Sequence, residues 1–288
     1  MKNLVFFLAV LIVLPVFQGC ETDDKETPPD IPPVETMVMN LDIFNSEEDA
    51  TALNLQDYIR STEVSEETLT TKNFGYAALT VVFWQLILAG NLAIPVASFG
   101  ATVNQEAEFI GDATWQWQYN FQSEGVYTAR LTGEVRSEEI KWEMYISKEG
   151  VGAFDEVKWY EGTSALSGNS GEWILYQNPT DPVELLQIEW QKTGDEVGSI
   201  KYKYIKEENS LGEDDPVYGS YIRYGLVDAE YDAFYQVHIY NANTTEFQDT
   251  DIEVNTTDSN GRIIAERIYS DDKWHCWNSE GQDVDCDE

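Results

Sequence analysis

Positive charge is what this chain has least of. Its 288 residues hold 17 Lys and Arg against 53 Asp and Glu, a formal net charge of −36. A field of that sign repels phosphate backbones and anionic lipid surfaces, which excludes nucleic acid as a partner. Its plainest use is to keep a chain that is 13% aromatic soluble. Histidine is nearly absent as well. Only His238 and His275 are on hand as neutral-pH bases, and neither stands near a Gly-x-Ser-x-Gly elbow or a His-Glu-x-x-His pair. His238, inside the alternating run Tyr235 to Tyr240, reads as a structural strand residue. With so thin a catalytic inventory the chain reads as non-enzymatic and without a cofactor, and a carboxylate pair at glycosidase separation, which is not legible in a sequence, stays open as the alternative. No calcium loop is present, because Asp249-Thr-Asp251-Ile-Glu253 and Asp283-Val-Asp285 lack the turning glycine. His275, Cys276 and Cys286 fall one ligand short of a closed zinc site. No metal is assigned.

Charge of either sign is missing from Asn73 to Gln105. Within that stretch, residues 74–92 are apolar on nearly every face of a 3.6-residue period, which predicts a helix buried all round. Thr71 or Asn73 suits its start, and Gly90, Asn91 and Pro95 are stop signals. Such a helix is roughly 28 Å long and meets the length test for a membrane span. The next segment, 106–129, carries carboxylates and no Lys or Arg, the wrong charge for a cytoplasmic flank after a span. The expectation is therefore a helix enclosed by the protein's own sheet.

At the N-terminus, Lys2 precedes an apolar run from Leu4 to Phe17 and then Gly19-Cys20. Residues 1–19 read as a cleaved export leader. Cys20, directly after a small residue, resembles the lipid-modified first residue of bacterial lipoproteins, although Phe17 and Gln18 depart from the commonest motif there. Ordinary secretion with a free Cys20 is the plainer alternative. The cluster Glu21 to Glu26 resembles the surface-export signal of Bacteroidetes lipoproteins. Residues 20–36, stiffened by Pro28, Pro29, Pro32 and Pro33, read as a tether able to hold the folded part about 50 Å from the membrane. The single domain is then 37–288. It opens with a strand from Met37 to Phe44 and a polar, acidic surface excursion at 45–72.

After Pro95 the period changes to two. Trp115, Trp117, Tyr119 and Phe121 share one face, as do Trp142, Met144 and Ile146, against polar residues on the other. Further alternating runs are 126–135, 155–160, 172–177, 185–191, 200–206, 221–227, 233–240, 250–255 and 262–269, separated by turn chemistry such as Ser167-Gly168-Asn169 and Asp258-Ser259-Asn260-Gly261. About eleven strands without helices between them predict an all-β fold, a large antiparallel up-and-down meander curling into a closed or partly open barrel. Lys141, Glu143, Lys158, Glu172, Glu189, Lys201 and Lys203 occupy the face opposite the aromatics, so that face is in water and a transmembrane barrel is excluded.

Ile94-Pro-Val-Ala-Ser-Phe99, Trp115-Gln-Trp-Gln-Tyr-Asn-Phe121, Trp142-Glu-Met-Tyr-Ile-Ser147 and Trp274-His-Cys-Trp277 resemble recurrent segments of a set of uncharacterised surface lipoproteins of the Bacteroidetes group. The resemblance covers most of the chain from Met37. It implies outer-membrane anchoring and cell-surface exposure, and it brings no catalytic residues. A curved sheet covered by apolar helix is also similar in architecture to the half-barrels of lipoprotein-carrier proteins.

With Cys20 given to lipid, Cys276 and Cys286 remain, and a pair in an exported protein is most simply a disulfide. Closing that short loop contributes roughly 3 kcal/mol. Binding, where there is any, falls to Trp84, Trp115, Trp117, Trp142, Trp159, Trp173 and Trp190, since indole faces suit both sugar rings and acyl chains. The competing use of these rings is to fill the core around the helix. Two readings follow: a surface-anchored lipoprotein holding a lipid or glycan ligand, or a partner-binding component of an outer-membrane assembly.

Overall fold

The computed structural model describes residues 27–39, 44, 72–123 and 125–286, with backbone alone at 82–83, 85–91 and 181. The leader, Cys20, the acidic cluster at 21–26 and the excursion at 45–71 lie outside the described residues. The protein is all-β. Its strands are β1 (Glu108–Gly111), β2 (Thr114–Gln122), β3 (Val126–Val135), β4 (Glu139–Lys148), β5 (Phe154–Ala165), β6 (Ser170–Asn178), β7 (Asp181–Thr193), β8 (Glu196–Tyr204), β9 (Tyr221–Leu226), β10 (Ala233–Asn241), β11 (Glu246–Val254), β12 (Gly261–Ile264), β13 (His275–Trp277) and β14 (Asp283–Val284). All 14 form one antiparallel sheet in strict sequence order. β1 and β14 each pair on one side only, so the sheet is open and not a closed barrel.

The central helix α1 (Lys72–Thr102) is longer than the period predicts and runs through Gly90, Asn91 and Pro95. Proline inside a helix forfeits one backbone bond. That loss is outweighed here by packing, because Pro95 is buried in a stripe with Asn73, Ala77, Val81, Trp84, Leu92, Phe99 and Thr102, spaced for one face of a helix. The expected all-round burial is corrected. Among the described side chains, Tyr76 and Thr80 within 74–92 are only half-buried, and beyond it Ala93 is exposed while Ile94, Val96 and Ala97 are half-buried, so α1 lies across the sheet and these positions are not enclosed. Among the described residues no helix is long and apolar enough to cross a membrane.

α1 touches β12, β13 and β14 near one end and β2 near the other. Its span from Asn73 to Thr102 is about 44 Å. The strands from β2 to β13 measure about 53 Å along the sheet. An open sheet of this many strands curls, and α1 lies on its aromatic, concave face, where Phe74 meets Trp277 and Phe99 meets Trp173.

Two further expectations change. Val34 to Met37 is a 3₁₀ turn, with no strand among the described residues of 37–44. Thr36 and Met37 are fully buried, and Ile31 and Val34 pack on the core, so the tether ends near Ile31. The run at 262–269 breaks at Ile264 into a short helix, α2 (Glu266–Tyr269). β1, β13 and β14, at two to four residues each, are too short to show a period.

Candidate functional site

The concave face is built on a row of residues that alternates tryptophan with glycine. By register, Phe109, Trp115, Gly133, Trp142, Gly162 and Trp173 stand opposite one another from β1 to β6. Each glycine leaves room for an indole to lie flat on the neighbouring strand. A Cβ at Gly133 would come within 2.7 Å of the Trp142 ring. The device recurs where Trp190 lies over Gly171 and Trp277 over Gly261. Aromatic rings paired with glycine across strands restore the packing that the glycine gives up.

The tryptophans singled out as binding residues are brought together here, but as core. Trp142 and Trp173 are 0% exposed, Trp84, Trp117 and Trp190 3%, and Trp115 4%. None of these six offers a face to an incoming ligand. Trp159 is half-buried. It is the extra residue of a bulge, since Tyr145 pairs with Lys158 while the adjacent Met144 pairs with Tyr160, and it packs edge-on against Phe154.

Polar groups then fasten the covering segments to the sheet. The Trp173 indole donates to Thr36 Oγ1 at 3.1 Å, and Thr36 Oγ1 donates to the Pro33 carbonyl at 2.7 Å. Tyr202 donates to the Met37 carbonyl and accepts from the Met39 amide, both at 2.8 Å. The Tyr119 hydroxyl meets Thr102 Oγ1 and the Ser98 carbonyl near the C-terminal end of α1. Burial raises the pKa of both tyrosines well above the usual phenol value, partly offset by these hydrogen bonds. Both are therefore neutral donors at physiological pH. Not every buried group is satisfied, for the indole N–H groups of Trp84, Trp159 and Trp190 have no partner among the described residues.

At its other end α1 is held by a clip. Cys276 and Cys286 are disulfide-bonded, with Cα atoms 5.2 Å apart. The loop between them supplies Asp283, whose Oδ1 accepts the Asn73 amide at 2.9 Å. A carboxylate at that position satisfies an orphan helix donor and favours the helix dipole. The Asn73 side chain donates to the Cys276 carbonyl and accepts from the Tyr269 hydroxyl, each at 2.8 Å. Asn73 was legible only as a cap. Its partners lie some two hundred positions away, and no local signal announces them.

The convex face carries the remaining chemistry. Lys158 donates to Glu161 at 2.8 Å, Tyr176 donates to the other Glu161 oxygen at 2.7 Å, and Lys141 donates to Glu143 at 3.0 Å. Burial and the Glu161 carboxylate push the Tyr176 hydroxyl up to about 12. His238 bonds Asp249 through Nδ1 at 2.6 Å and is stacked between Tyr221 and Phe247. His275 stands instead on the covered face, opposite Ile263, and bonds Asp271 at 2.9 Å under the Tyr269 ring. The two histidines thus stand on separate strands, each already engaged by one carboxylate and a ring. Among the described residues, no group of three or more His, Cys, Asp and Glu is placed to hold a metal ion. A cleft of about 540 Å³ opens where the β3–β4 turn meets the β5–β6 turn. Arg136 in that cleft is spanned by Glu134 at 2.9 Å and Glu139 at 3.4 Å. The hydrogen bond from Arg136 holds the Glu134 carboxyl below the usual range. Ser137, Thr163, Ser164 and Ser170 complete a polar wall without an aromatic platform.

No family model, curated protein or solved structure matches this chain. Function must be argued from the geometry.

Proposed function

We propose that this is a lipid-anchored, cell-surface, non-enzymatic protein of the outer membrane that serves as a partner-binding component of a larger assembly. The anchor rests on the leader and Cys20, and the outward routing on Glu21 to Glu26. The partner-binding reading rests on one observation. The aromatic concave face, which is where a small ligand would be held, is filled by the protein's own α1 and by the segment from Ile31 to Met39. What such a protein offers to others is its convex face and its edges.

A second reading is favoured by the unpartnered indoles of Trp84 and Trp190. A buried donor without a partner costs about 1–3 kcal/mol, and such a site is relieved when a lipid or glycan oxygen enters. Under that reading α1 is a displaceable plug. One experiment separates the two. A photoreactive residue at position 201 on the convex face, in full-length protein in its host membrane, is expected to cross-link one outer-membrane protein in high yield, and native mass spectrometry of the purified protein is expected to show no bound lipid or glycan. A retained lipid or glycan without a cross-linked protein replaces the first reading with the second. Retention of Cys20→Ala in the outer membrane after a carbonate wash removes the anchor from both.

A further inference from the structure

The two edges of the open sheet are finished differently. β14 is two residues long, Asp283 within it is bound by the Asn73 amide, and the chain behind it is tied back through Cys286 to Cys276. That edge is closed to newcomers. Among the described residues β1 leaves its outer side unpaired, and it exposes both of its large apolar residues, Phe109 at 53% and Ile110 at 51%. Val103, just beyond the C-terminal end of α1, is 61% exposed. An unpaired strand edge is a template for another strand, and proteins usually blunt it with Lys, Pro or a bulge. β1 has an irregular register between Phe109 and Gly111, but neither Lys nor Pro.

The charge around β1 is of one sign. Glu106, Glu108 and Asp112 flank it, no Lys, Arg or His occurs from Asn73 to Ala129, and the C-terminal end of α1 adds the negative pole of the helix dipole. The nearest cations along the meander are Arg130, held by Glu156 at 3.0 Å, and Arg136, held by Glu134 and Glu139. A protein that left this edge open for a copy of itself would meet its own charge. Antiparallel self-pairing of β1 directs Glu106 and Glu108 of one copy toward Asp112 of the other. Four residues a side also bury far less than the roughly 1,200 Å² of a stable interface.

We propose that the β1 edge receives an extended segment bearing Lys or Arg at alternate positions from a second protein, which adds as one more strand to the 14-stranded sheet. Backbone hydrogen bonds supply the pairing, Phe109 on one face of the strand contacts the apolar alternate residues, and Glu106, Glu108 and Asp112, on the face shared with Ile110, select the cations. This rests on the partner-binding reading, but the two fail separately. A partner cross-linked at position 201 survives the loss of this site.

The test uses full-length protein in detergent and the fluorescent hexapeptide Lys-Val-Lys-Val-Lys-Val, followed by anisotropy. A chain of charge −36 attracts any cationic peptide, so the control is the same hexapeptide with N-methylated valines, which keeps its charge and loses donors along one edge. We expect N-methylation, and replacement of Lys by Glu, each to weaken binding at least tenfold. Ile110→Lys is expected to weaken it by a similar factor. Phe109→Pro, which removes the amide on the open side of β1, is expected to abolish binding while the circular dichroism of the sheet is retained. Amide exchange should slow at 107–111 when peptide is bound. Equal binding of the methylated peptide, unchanged binding by both variants, or no binding of the Lys peptide overturns the proposal.

Discussion

The concave and convex faces of the sheet are made from the same strands, residue by residue in alternation, yet they are held by different physics. On the concave side, tryptophans lie flat over Gly133, Gly162 and Gly171 and are sealed by α1. On the convex side, aromatic rings are paired with the few cations the chain possesses. Arg130 sits 4.4 Å over Tyr145, Lys201 4.7 Å over Tyr221, Arg223 5.2 Å over Phe234, and Arg262 4.3 Å over Trp274. Burying one large apolar side chain contributes about 1.5–3 kcal/mol. An exposed cation–ring pair contributes about 0.5–1 kcal/mol. A high aromatic content therefore says little about stability until each ring is assigned to a face.

That contrast can be broken from either side. The largest effect is expected on the concave face. Trp173→Ala removes a fully buried indole and the Thr36 hydrogen bond, for a loss of about 3–5 kcal/mol in urea unfolding. Val81→Asp, at a 0% exposed position of α1, places an unpaired carboxylate in the core and is expected to abolish the fold. Full stability of Val81→Asp would mean that α1 does not rest on the sheet.

Reduction of Cys276–Cys286 comes next, at roughly 3 kcal/mol. Its signature is local. Amide exchange is expected to quicken first from Asn73 to Ala77, because Asp283 no longer holds the start of the helix, while amides of β3 and β4 stay protected. Uniform acceleration across the sheet would show that the clip acts on global stability alone.

Alkaline pH gives a graded test of the fastening groups. Tyr119 and Tyr202 have folded pKa values raised above the ordinary 10.0. Above pH 10 the unfolded chain has released these protons and the folded protein has not. The stability they contribute is whole below pH 10 and is lost as pH rises through the folded values, by up to about 1.4 kcal/mol per pH unit for each group. Tyr202→Phe should make the alkaline stability profile shallower by about that amount, and an unchanged slope would refute the assignment. The smallest effect is expected on the convex face, where Lys201→Ala should cost less than about 1 kcal/mol. A loss of several kcal/mol there would erase the distinction between the faces.

Local pattern carried much of this. The strand at 126–135 was readable to the residue, because alternation persists through Tyr127, Ala129 and Leu131 without a break. The tryptophans were readable as one face, and the cysteine pair as a bond. The end of α1 was not readable. Pro95 and Asn91 are local stop signals, and only burial of Pro95, Ser98, Phe99 and Thr102 against the sheet overrides them. Thr36 looked like linker because the donor that secures it, Trp173, is 137 positions away. β1 was missed because four residues cannot show a period, although Gly111, Asp112 and Ala113, all with positive φ, make the tight turn that returns it to β2.

The amino-acid order by itself determined which residues alternate, where turns fall and that the last two cysteines have each other to pair with. Those are properties of neighbours along the chain, and steric rules acting over a few residues are enough to set them. Only the tertiary structure decided that tryptophan meets glycine across β2 to β6, that α1 lies over the concave face, that Asn73 is held by the C-terminal loop, and that β14 is closed while β1 is open. Each of these depends on register between strands or on contacts between distant segments, and a one-residue slip of register would move every inward tryptophan to the solvent side.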